Sequence, residues 1–228
     1  MTRPITSILF DLDGTLADTV PGIQYACQAA VEAILPGRSI PDLHGRIGPP
    51  IGEILGQVLP EADANTLGEI EVRFRSCYDS VGWSKSMAYS GVAGTMEQLA
   101  IMGVRCFVVT NKPNVPTRKI LKHLGIDRFL ETPVSPDSKM PPFASKADLV
   151  CHVMAHHRLD PETTLLVGDS NDDAQAALAC GLAFAAVSYG YGQAYTQVQI
   201  FRVVLSRFDQ ILELFSTPSA GIREDSHD

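Results

Sequence analysis

From residue 91 onward, short apolar runs alternate with helical stretches, and this alternation limits the fold more than any other feature of the chain. The strand-like runs are Arg105 to Val109, Phe129 to Val134, Thr164 to Val167 and Ala183 to Val187. Helical spacing covers Thr95 to Met102, Val115 to Leu124, Lys146 to about Arg158 and Ala174 to Cys180. Gly103, Gly125 and Gly181 stand where three of these helices should stop, as glycine does just past a helix end. Alternation of this kind implies an α/β fold with a doubly wound parallel sheet. One more strand-like run, Ser7 to Phe10, stands apart near the amino end. It is apolar at nearly every position, as expected of a parallel strand covered on both faces.

Between that first run and the alternating part lies a block with no convincing strand. Val20-Pro21 opens a helical pattern through Ile23, Cys27, Ala30, Val31 and Ile34, with proline in the first turn. Ile51, Ile54, Leu55 and Val58 suggest a second helix, and Leu67, Ile70, Phe74, Cys77 and Tyr78 a third. We read residues 16–87 as an inserted all-helical cap domain, and residues 1–15 and 88–228 as the core domain. Phe208 to Phe215 reads as a last helix, and 216–228 as a frayed polar tail.

The chemistry sits at the ends of the strands. Ile8-Leu9-Phe10 runs into Asp11-Leu12-Asp13-Gly14-Thr15, so two carboxylates, one residue apart, precede a glycine turn. Cys106-Phe107-Val108-Val109 runs into Thr110-Asn111-Lys112. Ser145-Lys146 opens a helix, and Leu165-Leu166-Val167-Gly168 ends in Asp169, followed by Ser170-Asn171-Asp172-Asp173. Ligands of open α/β sheets bind outside the carboxyl ends of the strands. Taken singly, each motif also reads as an ordinary polar strand exit or an acid-rich helix start. Four in this order along almost the whole chain resemble the haloacid dehalogenase-like hydrolase superfamily. The position and helical character of the block after the first strand are similar to the cap of its phosphoglycolate phosphatase-like branch.

The resemblance implies a nucleophile, Asp11, that forms an aspartyl-phosphate. It implies that Asp13 protonates the leaving alcohol and then deprotonates the attacking water. Dehalogenases of the superfamily lack an acid at that place, so the motif points to phosphate esters. Thr110, Asn111 and Lys146 would bind the phosphoryl oxygens. Asp11, Asp169 and the backbone carbonyl of Asp13 match the family's Mg²⁺ ligands, and Asp173 would support the ion through water or a hydrogen bond. Many relatives carry the lysine in a Lys-Pro-x-Pro context. Here Lys139 precedes Met140-Pro141-Pro142, and Lys146 is preferred because it starts the helix leading into the next strand. Arg46, in the cap sequence Gly45-Arg46-Ile47-Gly48-Pro49-Pro50, is a candidate for contact with a substrate's distal anion. His44 and Lys85 are weaker candidates of the same kind.

Composition narrows the partners. A formal charge of −8 with no basic run disfavours a nucleic-acid or anionic-membrane surface. Lys112, Lys146 and a bound cation could supply local positive charge for an anionic substrate. No run of the sequence is long and apolar enough to span a membrane. Five scattered cysteines without a C-x-x-C suggest reduced thiols, and with no signal peptide evident the cytoplasm is the expected location. His152 and His156 have a spacing that can bind zinc, but they read better as an exposed polar face. Gly190 and Gly192 read as a loop closure rather than a phosphate cradle. The expected activity is Mg²⁺-dependent hydrolysis of a small phosphorylated metabolite resembling phosphoglycolate. The alternatives are a sugar phosphomutase, a nucleotide or pyrophosphate phosphohydrolase, a phosphonate hydrolase, or a non-catalytic binding protein on the same fold. Neither the substrate nor the oligomeric state is legible in the sequence.

Overall fold

The computed structural model of the chain describes residues 3–192 and 201–215. Its sheet holds five parallel strands: β1 (Ser7–Phe10), β4 (Arg105–Val108), β5 (Thr164–Gly168), β6 (Ala183–Val187) and β7 (Phe201–Leu205). They lie in the order β4-β1-β5-β6-β7. The chain leaves β1 and returns as β4 on one side, and then places β5 on the other. The strand order therefore reverses at β1, which puts the ligand crevice of such a sheet beside its carboxyl end. Register fixes which residues share that edge. Phe10 is level with Val108 on one neighbour and with Val167 on the other, so Asp11, Thr110 and Asp169 emerge together.

Alternation along β1 divides the core in two. Ile8 and Phe10 face one apolar cluster with Val108, Leu165 and Val167, packed under α4 (Val92–Ile101) and α5 (Asn114–His123). Leu9 faces the other cluster with Phe107, Leu166 and Phe184, under α6 (Lys146–His157) and α7 (Asn171–Ala179). Every residue of β1 is buried. At about 1.5–3 kcal/mol for each large apolar side chain removed from water, this strand is fixed far more firmly than an edge strand.

The helical block forms its own cluster. α1 (Val20–Ile34), α2 (Ile51–Val58) and α3 (Ala64–Ser80) bury Ile23, Val31, Leu55, Ile70 and Phe74 together. The Asp63 carboxylate caps α3 by accepting from the Thr66 amide at 2.8 Å. The passage into and out of the block is a two-residue antiparallel pair, β2 (Ala17–Asp18) with β3 (Met87–Ala88). Trp83 packs against both the helical cluster and the larger core cluster.

Some elements differ from the sequence reading. The strand expected at Phe129 to Val134 is not one. Asp127–Phe129 is a 3₁₀ turn, and beyond it Val134 makes an isolated bridge with Val109. Pro133 has no N–H to give a ladder at that place. β2, β3 and β7 were not expected. Phe208–Phe215 is helical but 3₁₀, and 216–228 lies outside the described residues. Cys151 and Cys180 form a disulfide between α6 and the end of α7, which corrects the reading of five reduced thiols. Cys27, Cys77 and Cys106 are free. The cytoplasmic expectation loses that part of its support. No described helix is long and apolar enough to cross a membrane.

Candidate active site

Four acids and two lysines meet at the carboxyl end of the sheet. Asp11 follows β1 directly, and its amide donates to the Val167 carbonyl at 3.0 Å, which fixes its main chain at the strand edge. Lys146 is the first residue of α6, held there by the Ser145 hydroxyl, which accepts from the Asp148 amide at 3.1 Å. Its ammonium lies 2.8 Å from Asp11 Oδ1 and 2.5 Å from Asp173 Oδ1. Burial works against that charge, but Asp11 and Asp173 more than offset it and hold the lysine above its usual range. Burial raises the Asp11 pKa well above its ordinary value. Lys146 opposes this, and the nearby Asp173, Asp169 and Asp13 add to it.

Asp173 is fully buried. Its Oδ2 accepts from the Ser170 amide at 3.0 Å and from the Ser170 hydroxyl at 2.6 Å, a capping box at the start of α7. Asp169 is gripped from a different part of the chain. Its Oδ2 accepts from the amides of Tyr191 at 2.7 Å and Gly192 at 2.9 Å. Burial and then Asp173 push its pKa up to about 6, against those two hydrogen bonds. The loop can come this close only because Gly190 has no side chain, and the turn after β1 only because Gly14 has none. A Cβ on Gly190 would lie 2.4 Å from the Asp169 Cβ, and one on Gly14, whose φ is +81°, would lie 2.2 Å from Asp169 Oδ2.

One oxygen from each of Asp11, Asp169 and Asp173 lies within 4.8 Å of the others, and all three residues are buried. Three carboxylates around one ammonium leave excess negative charge in a dry place. No hydrogen bond reaches the Asp13 carbonyl among the described residues. A hard divalent cation fits this all-oxygen set.

Asp13 stands apart from that cluster. Its carboxylate meets the Lys112 ammonium at 2.9 and 3.2 Å and accepts from the Thr19 hydroxyl. Lys112 is buried, and its ammonium also lies 5.0 Å from the centre of the Tyr78 ring on α3. Burial opposes its charge, and Asp13 and then Tyr78 reverse the effect, raising its pKa. The sequence offered Lys112 as a source of positive charge for a substrate, and the structure pairs it with Asp13. Lys112, Thr19 and the Tyr191-Gly192 amides were missed as partners. The paired glycines just beyond β6 were the available signal for the last of these.

The remaining candidates are placed as follows. Thr110 is buried, and its hydroxyl accepts from the Lys112 amide at 3.1 Å. The Asn111 amide side chain donates to Asp172 Oδ2 at 2.7 Å. Both line a cleft of about 820 Å³ between the acids and the helical block, with Asp11, Asp13, Lys146 and Asp169 on its floor. Arg46 is exposed and does not line the cleft, although its neighbours Ile47, Gly48, Pro49 and Pro50 do. Lys139 lies over the Phe143 ring at 4.0 Å, beside a separate surface hollow. His152 and His156 stack with ring centres 5.7 Å apart on an exposed face of α6. His44 meets the Tyr191 ring, and Lys85 covers Tyr25.

Residues 8–187 match the family described as haloacid dehalogenase-like hydrolase. The chain is 34% identical to the tyrosine-protein kinase PtkA of Mycobacterium tuberculosis over 190 residues, 82% of this chain but 63% of that one. It therefore spans less than two thirds of that relative. It is also 34% identical to the phosphoglycolate phosphatase of Pectobacterium atrosepticum over 227 residues, covering 96% of both. A haloacid dehalogenase-like hydrolase from Streptococcus pneumoniae shares the fold, with a TM-score of 0.82 at 24% identity, covering 93% of this chain and 99% of that one.

Proposed function

The chain belongs to the haloacid dehalogenase-like hydrolases, and on that premise we propose that it is a Mg²⁺-dependent phosphatase that cleaves a small phosphate monoester through an aspartyl-phosphate on Asp11. The observation that carries this is the Asp11 carboxylate itself. It is buried at the switch point of the sheet, 2.8 Å from the Lys146 ammonium, and opens onto the cleft. Asp11, Asp169 and the Asp13 carbonyl would hold Mg²⁺, with Asp173 behind them, and the ion would neutralise phosphoryl charge there. An Asp11 oxygen attacks phosphorus, and the ester oxygen leaves with a proton from Asp13. Water then attacks the phosphorus of the acyl phosphate and gives its proton to Asp13, which releases phosphate and restores both acids. Lys146 offsets charge on the transferring group, and Thr110 and Asn111 orient its oxygens. Lys112 and Thr19 hold Asp13 at the cleft floor until a substrate arrives. Residues 16–87 act as the cap that closes over it and excludes bulk water.

The relatives named phosphoglycolate phosphatase make that two-carbon ester the first substrate to assay. The test is phosphate release with Mg²⁺, together with borohydride trapping of the acyl phosphate at residue 11. Asp11→Asn is expected to lower release by about four orders of magnitude and abolish trapping while leaving the fold intact. Wild-type turnover in that variant would end the reading. The likeness to PtkA supports a second reading, phosphoryl transfer to a protein tyrosine. Label from the γ-phosphate of a nucleotide appearing on tyrosine, rather than as free phosphate, would select it.

A further inference from the structure

The cleft has two unlike walls, and the roof bears on the part of the substrate that the core chemistry does not read. The floor is polar. The roof, contributed by the helical block, presents Ile47, Pro50, Ile51, Ile54, Phe74 and Tyr78. Three cations line the cleft, and each already faces a carboxylate. Lys146 lies 2.8 Å from Asp11, Lys112 lies 2.9 Å from Asp13, and Arg75 lies 2.7 Å from Glu71 one turn away on α3. Two further acids of the roof, Glu53 and Asp79, line the cleft, and their carboxylates make no salt bridge among the described residues, although the Asp79 carbonyl accepts from the Lys119 ammonium at 2.6 Å. A carboxylate on the leaving group would therefore enter an apolar wall edged with like charge, and no unpaired side-chain cation lines the cleft among the described residues to receive it. A desolvated anion without a partner is costly, whereas apolar surface buried against such a wall is favourable. The volume, about 820 Å³, lies in the range that encloses drug-sized ligands and exceeds what a phosphoryl group with two carbons can fill.

We infer that the preferred substrates are phosphate monoesters whose organic part is apolar, carries no negative charge and is larger than a two-carbon acid. This rests on the phosphatase reading above and narrows it. Among the described cations that line the cleft, Arg75 is the one that could be redirected, because its pair with Glu71 is half-exposed and exposed pairs of this kind are weak.

The experiment uses the full chain with Mg²⁺ and follows phosphate release from p-nitrophenyl phosphate, with two phosphonates as competitive inhibitors. Benzylphosphonate presents an apolar, uncharged group beyond its phosphonate, and phosphonoacetate presents a carboxylate on two carbons. Benzylphosphonate is expected to inhibit about tenfold more tightly or better. The double variant E53Q/D79N, altered only at exposed positions, is expected to tighten phosphonoacetate by about threefold or more and to leave benzylphosphonate within about twofold. Arg75→Ala should not weaken phosphonoacetate. Equal or tighter inhibition by phosphonoacetate, or its loss in Arg75→Ala, would overturn the inference and leave the phosphatase reading standing. Failure to release phosphate from any ester with Mg²⁺ would remove both.

Discussion

The floor and the roof of the cleft obey different rules. On the floor, each functional side chain lies at or just beyond a strand end or in the first turn of a helix, and each has a fixed partner. Asp11 and Asp173 meet Lys146, Asp13 meets Lys112, and Asp169 takes two backbone amides. The roof is made of apolar side chains from α2, α3 and the loop before α2, with acids at its margin. Position on the floor is set by the sheet, which is buried and paired on both sides of β1. Position on the roof is set by how the helical block packs. On the proposed reading, the floor would serve many substrates with one chemistry, while the roof would decide among them.

Three perturbations test that contrast. The largest effect belongs to Lys146→Ala. It is expected to lower phosphate release by about two to three orders of magnitude and to destabilise the protein by about 3–5 kcal/mol, because Asp11 and Asp173 would be left buried without their cation. Lys139→Ala should change neither, since Lys139, over the Phe143 ring, does not itself line the cleft. If the two variants behaved alike in assay and melting, the floor would not be the special region described here.

Next in size is the linkage between metal and pH. Asp169 is raised to about 6 and Asp11 is raised as well. A carboxyl raised on folding binds its proton more tightly in the folded state. Without metal, stability therefore falls as pH climbs from the unfolded value towards about 6, and the deficit remains above it. Mg²⁺ competes with those protons. Millimolar Mg²⁺ should raise Tm by several degrees near pH 7.5 and by about one degree or less near pH 5. An equal rise at both values would separate the acid cluster from metal binding.

The smallest effect is expected at the roof's edge. Arg46 is exposed and outside the cleft lining, so Arg46→Ala should move KM by about twofold or less for anionic and neutral esters alike. A selective rise for the anionic ester would bring Arg46 back into substrate recognition.

The same division explains what could be read from the sequence. Strand exits at Asp11, Thr110 and Asp169 were visible because apolar runs end there abruptly, and the helix starting at Lys146 carried its own cap. The partners were not visible. Nothing in a Thr-Asn-Lys run says that its ammonium will sit on Asp13, 99 residues away, or that a loop after β6 will hold Asp169. The β2–β3 pair is two residues long and exists only because the entry and exit of the block are brought together. β7, Phe201–Leu205, has an arginine in a five-residue run and gave too weak an alternation to find. The strand expected up to Val134 failed at Pro133, a residue whose missing N–H was in plain view.

The central position of β1 also has a consequence in time. Among the described strands it comes first in sequence, yet both its neighbours come much later, with Ser7 paired to Arg105 on one side and to Thr164 on the other. A chain emerging residue by residue holds Asp11 well before the two strands that give it a position. Non-local pairing of this kind also delays closure in a finished chain. The proposed nucleophile is thus made before its scaffold and is positioned only once β5 has been made.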